Sequence, residues 1–152
     1  MEIKLNEEQY RDLIHLVVIG NNVLEVLDDN YNGYGEQTSR CAELEEHLIH
    51  YANDFNCSDL KASYTDKDDV DDNFFEFIME EYIDPYDLDV CYDVLSRELG
   101  RKELYNTITK EEQKEIEKNG VLPARIFDIC DRYQEELEKN SFKNIILKND
   151  NK

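Results

Sequence analysis

Apolar residues recur at helical spacing along most of the chain. Leu13, Leu16/Val17, Gly20, Val23/Leu24 and Leu27 step by threes and fours, and Ile14, Val18 and Ile19 widen the stripe. So broad an apolar band predicts a central helix with several neighbours. Asn6 precedes it, Gln9 stands three residues on, and Leu5 with Tyr10 occupies staple positions, the pattern of a capping box at a helix start. Gly20 costs about 1 kcal/mol of helix propensity relative to alanine, and on a buried stripe it would let another helix come close.

The turn-rich stretch from Asp28 to Gly35 interrupts the pattern. A second helix is expected from Thr38 or Ser39 to about Asn56, with Cys41, Leu44, Leu48, Tyr51/Ala52 and Phe55 inward. Residues 57–69 read as a polar connector. Asp68 or Asp69 is the expected cap of a third helix, with Val70, Phe74, Phe77/Ile78 and Tyr82 facing the core. Pro85 predicts a restart, with Asp84 as N-cap, Pro85 at the first helical position and Asp87 two further on. Leu88, Cys91/Tyr92, Leu95 and Leu99 mark that next helix, with a break expected at Gly100. Thr109 and Glu112 form a second capping box, Asn119-Gly120 closes a short surface helix, and Pro123 opens a last one bearing Ile126, Cys130, Tyr133 and Leu137.

Met1–Leu5 alternates apolar and polar residues, and Phe142–Lys148 regains strand character through Ile145-Ile146-Leu147. There is no internal repeat, and every connector is too short for a domain linker. The expected fold is mainly α: a single-domain bundle of five to six helices over residues 1–148, whose two terminal segments could pair as a small two-stranded sheet. Residues 149–152 form a polar tail. Leu16, Val17, Leu24, Leu44, Leu48, Ile78, Leu95, Ile126 and Cys130 are the expected core. The length of 152 residues suits one domain, and 40% hydrophobic residues are enough to build its core.

Charge changes the picture more than composition does. The net charge is −20, from 37 acidic and 17 basic residues. Residues 59–93 hold 13 acids against Lys61 and Lys67, whereas residues 97–148 are balanced at 11 of each. Direct nucleic-acid binding needs cations against phosphate and is disfavoured, as is docking on anionic membranes. The expected partner is a protein with a basic surface. No stretch approaches the roughly 20 apolar residues of a membrane span. The N-terminus has no signal-peptide pattern, and the four cysteines lack CxxC spacing, so they read as small hydrophobes in a reducing cytoplasm.

Two groups could carry chemistry. Glu43, His47, His50 and Asp54 follow at steps of four, three and four, which would place imidazoles and carboxylates suited to a divalent metal on one helical stripe. The spacing matches neither HExxH nor the Glu-x-x-His of di-iron bundles. Asp66, Asp68, Asp69, Asp71 and Asp72, with Asp84, Asp87 and Asp89 beyond, form a candidate acidic interaction surface. An EF-hand counted from Asp66 would need Gly at Asp71 and Glu at Phe77, so that reading fails. Spaced carboxylates can also imitate DNA phosphates. His15 reads as a packed or surface residue. GxSxG, P-loop and CxxC motifs are absent, no cofactor is implied, and nothing supports an enzyme.

The opening Ile3-Lys-Leu-Asn-Glu-Glu-Gln-Tyr10, with Leu13 and Gly20-Asn21, resembles the start of a group of small acidic bacterial proteins to which no activity is assigned. The resemblance implies a bacterial, cytoplasmic origin and carries no catalytic residues. The expected function is a protein–protein interaction module, with metal binding or DNA mimicry as the alternatives.

Overall fold

Three of the helices open on a side-chain cap in this computed structural model, which describes residues 4–65 and 67–146. Helix α1 (Glu7–Asn30) opens on Asn6, whose side chain accepts from Gln9 N–H while the Gln9 side chain accepts from Asn6 N–H. Helix α2 (Gly35–His50) starts three residues before the expected position and has no side-chain cap. Helix α3 (Asp72–Ile78) is capped by Asp71, which accepts from the Asn73 and Phe74 amides, so neither Asp68 nor Asp69 is the cap. Helices α4 (Asp84–Thr107), α5 (Lys110–Asn119) and α6 (Arg125–Asn140) complete the set. The mainly α class is as expected. No strand forms among the described residues, and the one β feature is an isolated antiparallel bridge between Lys61 and Val70.

The expected terminal sheet does not form among the described residues. Lys4 and Leu5 belong to no regular element, and Ser141–Asn144 makes a short 3-10 turn. Residues 1–3 and 147–152, which include the remaining strand positions and the tail, lie outside the described residues.

The chain divides into two units, one ending at Pro85 and the other starting at Tyr86. No linker marks the division in the sequence because it falls within the first turn of α4. Pro85 does not restart a capped helix. Asp84 is itself helical, at φ −58° and ψ −45°, and the accommodation lies upstream, in a π-helical turn at Met79–Ile83. There the Asp84 amide donates to the Met79 carbonyl, five residues back. Proline has no N–H to give and clashes with the carbonyl four residues before it, so a widened turn ahead of it relieves the ladder. The same turn brings Ile78 and Ile83, five residues apart, into one core; on a regular α-helix that spacing would set them well apart around the axis.

In the first unit the core is Tyr10, Ile14, Val18, Ile49, Ala52, Cys57, Leu60, Ile78 and Ile83. The buried stripe of α1 is therefore Tyr10, Ile14, Val18 and Asn21, one residue out of phase with the expected one. Leu16 and Leu44 are exposed, and Val17, Leu24 and Leu48 are half-buried. Two residues, Tyr10 and Asn21, set this phase. The Tyr10 hydroxyl donates to the Leu48 carbonyl at 2.6 Å, and the Tyr10 ring stacks on Phe55 at 4.3 Å. Asn21 donates from its amide to Glu45 Oε2 at 2.7 Å and to the Cys41 carbonyl at 3.3 Å, tying α1 to α2. Burial raises the Glu45 carboxyl above its ordinary range, and the Asn21 bond opposes that shift. Gly20 is exposed and touches nothing, contrary to its expected role as a close-packing residue.

In the second unit Leu104, Ile126 and Ile129 form the core, with Leu122, Cys130 and Tyr133 packed against it. The buried face of α4 is Tyr92, Ser96, Gly100 and Leu104, so Leu88 is exposed and Leu95 half-buried. Helix α4 runs unbroken through Gly100. The glycine is used for close packing: a Cβ there would lie 2.5 Å from Cys130 Sγ and 3.4 Å from the Cys130 Cα. Ile126 is buried as expected, and Cys130 is half-buried.

A charged latch closes the turn between α5 and α6. Arg125 donates through Nε to Glu112 Oε1 at 2.7 Å and through its terminal nitrogens to Glu112 Oε2, Thr107 Oγ1 and the Thr107 carbonyl. Glu112 also accepts from the Thr109 amide to complete the capping box. Arg125 first, then that amide, pull the Glu112 carboxyl down to about 2. A carboxyl depressed in the folded state contributes stability above its unfolded pKa, and that contribution is lost as pH falls through the folded value. Glu112→Gln is thus expected to lower the urea midpoint at pH 7. The gap to wild type should close between about pH 4.5 and pH 2, read from paired denaturation curves. A constant gap over that range would contradict the assignment.

Candidate functional site

Helix α2 ends at His50, and a 3-10 turn, Ala52–Phe55, follows before Asn56 adopts a left-handed conformation at φ 57°. Asp54 therefore leaves the helical stripe that sequence spacing assigns to it. What remains of the stripe lines an open, polar depression of about 420 Å³, walled by Glu43, Glu46, His47, His50, Tyr51 and Asp68. The expected metal set is not brought together as four ligands. Among the described residues no group of three or more His, Cys, Asp or Glu side chains is placed to hold a metal ion.

The depression is organised by a contact between the two sequence candidates. The Lys61–Val70 bridge closes the loop between them, with the Ala62 amide donating to the Asp69 carbonyl and the Asp71 amide to the Leu60 carbonyl, both at 2.9 Å. This carries Asp68 back to α2, where its Oδ2 meets His50 Nδ1 at 2.8 Å while its other oxygen pairs with Lys61. Lys61 first, then His50, hold the Asp68 carboxyl below its ordinary range. Tyr51 packs edge-on against both His47 and His50, at ring separations of 5.3 and 5.1 Å. His50 is thus oriented by a carboxylate, and among the described residues no serine, threonine or cysteine is hydrogen-bonded to either histidine. The role of Lys61 is absent from the sequence-level candidates. Its signal was its rarity as one of two bases between residues 59 and 93.

The acidic candidates divide by what they touch. Asp66 lies outside the described residues. Asp68 is ion-paired, Asp69 accepts from Thr65 Oγ1 at 3.1 Å, and Asp71 caps α3. The influence of Asp72, ahead of the neighbouring acids Asp71 and Asp69, pushes the exposed Tyr64 phenol up to about 12. Asp68, Asp69 and Asp71 are thus each engaged by a local partner, while Asp72 is exposed. Asp84, Asp87 and Asp89 are exposed. The division assigns Asp84 to the first unit and Asp87 and Asp89 to the second, so the acidic candidates do not all belong to one unit.

His15 is half-buried and stacks on Phe74 at 5.0 Å, with Phe77 and Tyr82 tilted against it at 6.2 and 6.0 Å. Burial lowers its pKa below the ordinary histidine value. In the second unit a mainly apolar groove of about 630 Å³ has Val121, Leu122, Ile126, Phe127 and Cys130 among its lining, with Arg97, Arg101, Asp93 and Asp131 on its rim. Its two arginines are paired with Asp93 and Glu98, so the rim carries no excess of either sign.

The fold and the site together define an acidic, helical protein, and among its described residues no group of three or more His, Cys, Asp or Glu is placed to hold a metal ion. No family model, curated protein or solved structure matches the chain. No helix among the described residues is long and apolar enough to cross a membrane.

Proposed function

We propose that the protein is a binding module for a basic partner protein, acting through contact rather than catalysis. The observation that carries this reading is the division of charge. Residues 1–85 hold 22 acids and 5 bases, whereas residues 86–152 hold 15 acids and 12 bases. Concentrating like charge in one unit costs self-repulsion, and an opposite surface on a partner recovers that cost while steering the encounter. The resemblance of the N-terminal segment to small acidic bacterial proteins, with four free cysteines, supports a bacterial cytoplasmic setting.

The test is affinity capture from a bacterial extract, followed by association kinetics with the purified partner. The association rate is expected to fall as salt rises, because the Debye length shrinks from about 8 Å at physiological ionic strength to about 3 Å at 1 M. Glu76→Gln with Glu80→Gln and Asp84→Asn, all exposed in the acidic unit, should slow association with little change in melting temperature, since exposed substitutions cost within about 0.5 kcal/mol. Replacing Asp68 or Asp71 would confound the test by removing an ion pair or a helix cap. An acidic partner, or a rate indifferent to salt, would refute the reading.

A further inference from the structure

Helix α1 carries a second apolar stripe that nothing in its own unit covers. Leu16 is 68% exposed, Val23 46% and Val26 53%, and they lie away from the Tyr10, Ile14 and Val18 face. Gly20 sits one turn after Leu16 and one turn before Val23, and a Cβ there would meet nothing within 4 Å. A helix face that is apolar at its ends and bare in its middle lets a second helix backbone approach closely. Asp12, one turn before Leu16, is exposed. On the α3 side of α1 the edges of Phe77 and Tyr82 are open to solvent around His15. Aromatic faces attract guanidinium and ammonium groups.

From this arrangement we infer that the outward face of α1 docks a basic amphipathic helix of the partner protein. Its apolar seam would cover Leu16, Val23 and Val26, and its Arg or Lys side chains would reach Asp12 and the rings of Phe77 and Tyr82. Charge complementarity selects this occupant. The unit that bears the stripe has 22 acids against 5 bases, so a second copy would bring like charge onto like, whereas a cationic helix is drawn in. Isolated exposed apolar residues are ordinary on a protein surface, but a stripe at helical spacing on one element is the form an interaction face takes. The inference rests on the interaction reading above and names the surface and the kind of element it takes.

The experiment uses the full chain and two synthetic peptides of identical composition. One is an amphipathic helix with leucines on one face and arginines flanking them, and the other is the same residues scrambled. Fluorescence anisotropy is expected to show the amphipathic peptide binding about tenfold more tightly than the scrambled one. Leu16→Ser with Val23→Ser should abolish that preference at an unchanged melting temperature, while Val121→Ser in the second unit should leave it intact. Equal binding of both peptides would overturn the docking face and leave the basic-partner reading standing. Binding of neither would overturn both. Sedimentation showing a dimer of the free protein that Leu16→Ser disrupts would assign the face to a second copy and overturn the inference.

Discussion

Tyr10→Ala is expected to destabilise the first unit by about 3–5 kcal/mol, the cost of emptying a large aromatic site in a packed core. The ring is fully buried, lies flat on Phe55 with an interplanar angle of 4°, and is surrounded by the core drawn from α1, α2 and the segments that follow. Tyr10→Phe separates the two parts of that loss. It keeps the ring and removes only the hydroxyl that donates to the Leu48 carbonyl, so about 1 kcal/mol is expected. The phenol adds a pH signature. Burial first, then the nearby Cys57 and Asp54, push it from 10 up to about 12. A group raised in the folded state contributes stability below its unfolded pKa and loses it as pH rises through the folded value. Wild-type stability should therefore decline from about pH 10 to pH 12 in a way that Tyr10→Phe does not share. Denaturant midpoints of the three proteins across that range provide the measurement. A Phe variant as unstable as the Ala variant would mean that the hydroxyl rather than the ring dominates.

Gly100 and Gly20 form the second pair, with effects of opposite sign. Both are helical glycines, and alanine at either gains about 1 kcal/mol of helix propensity. At Gly100 the added methyl would enter the space of the Cys130 side chain, and its neighbour at 3.4 Å is backbone, which cannot swing aside. Overpacking of this kind costs about 1–3 kcal/mol, so Gly100→Ala should lower the melting temperature and Gly100→Val should lower it further. At Gly20 nothing stands in the way, and Gly20→Ala should stabilise by up to about 1 kcal/mol. Thermal melts of the single variants test both. A stabilising Gly100→Ala would show that α4 and α6 are less closely apposed than described.

These two glycines also show what the sequence could and could not tell. Local chemistry was legible where a complete capping box is written, and less so at the α3 cap and at Pro85. The capping boxes at Asn6–Gln9 and Thr109–Glu112 formed as written, and Gly120 ends α5 in the left-handed region at φ 68°. Each joins groups three or four residues apart, so nothing distant can override it. The phase of α1 was not legible, because apolar residues occupy most of its circumference and two stripes satisfy the same spacing. Long-range bonds from Tyr10 and Asn21 decide between them, and helical periodicity carries no trace of either. The same limit hid the site. His50 and Asp68 are separated by 18 positions and fall into different candidate groups until the loop between them closes.

The widened turn before α4 has a meaning for how such a chain can change length. A turn closed by a bond five residues long holds one residue more than an α-helical turn. Ile78 and Ile83 face the same core only because of that extra residue. Were one residue between them lost, the two isoleucines would stand four apart and still share a side, with Pro85 then left to interrupt an otherwise regular helical ladder. A related chain shorter by one at this point would therefore keep its core and differ by a gap rather than by a rearrangement. The stretch from Met79 to Ile83 is thus the place in the helical run where an insertion or deletion can be absorbed without shifting which residues face inward.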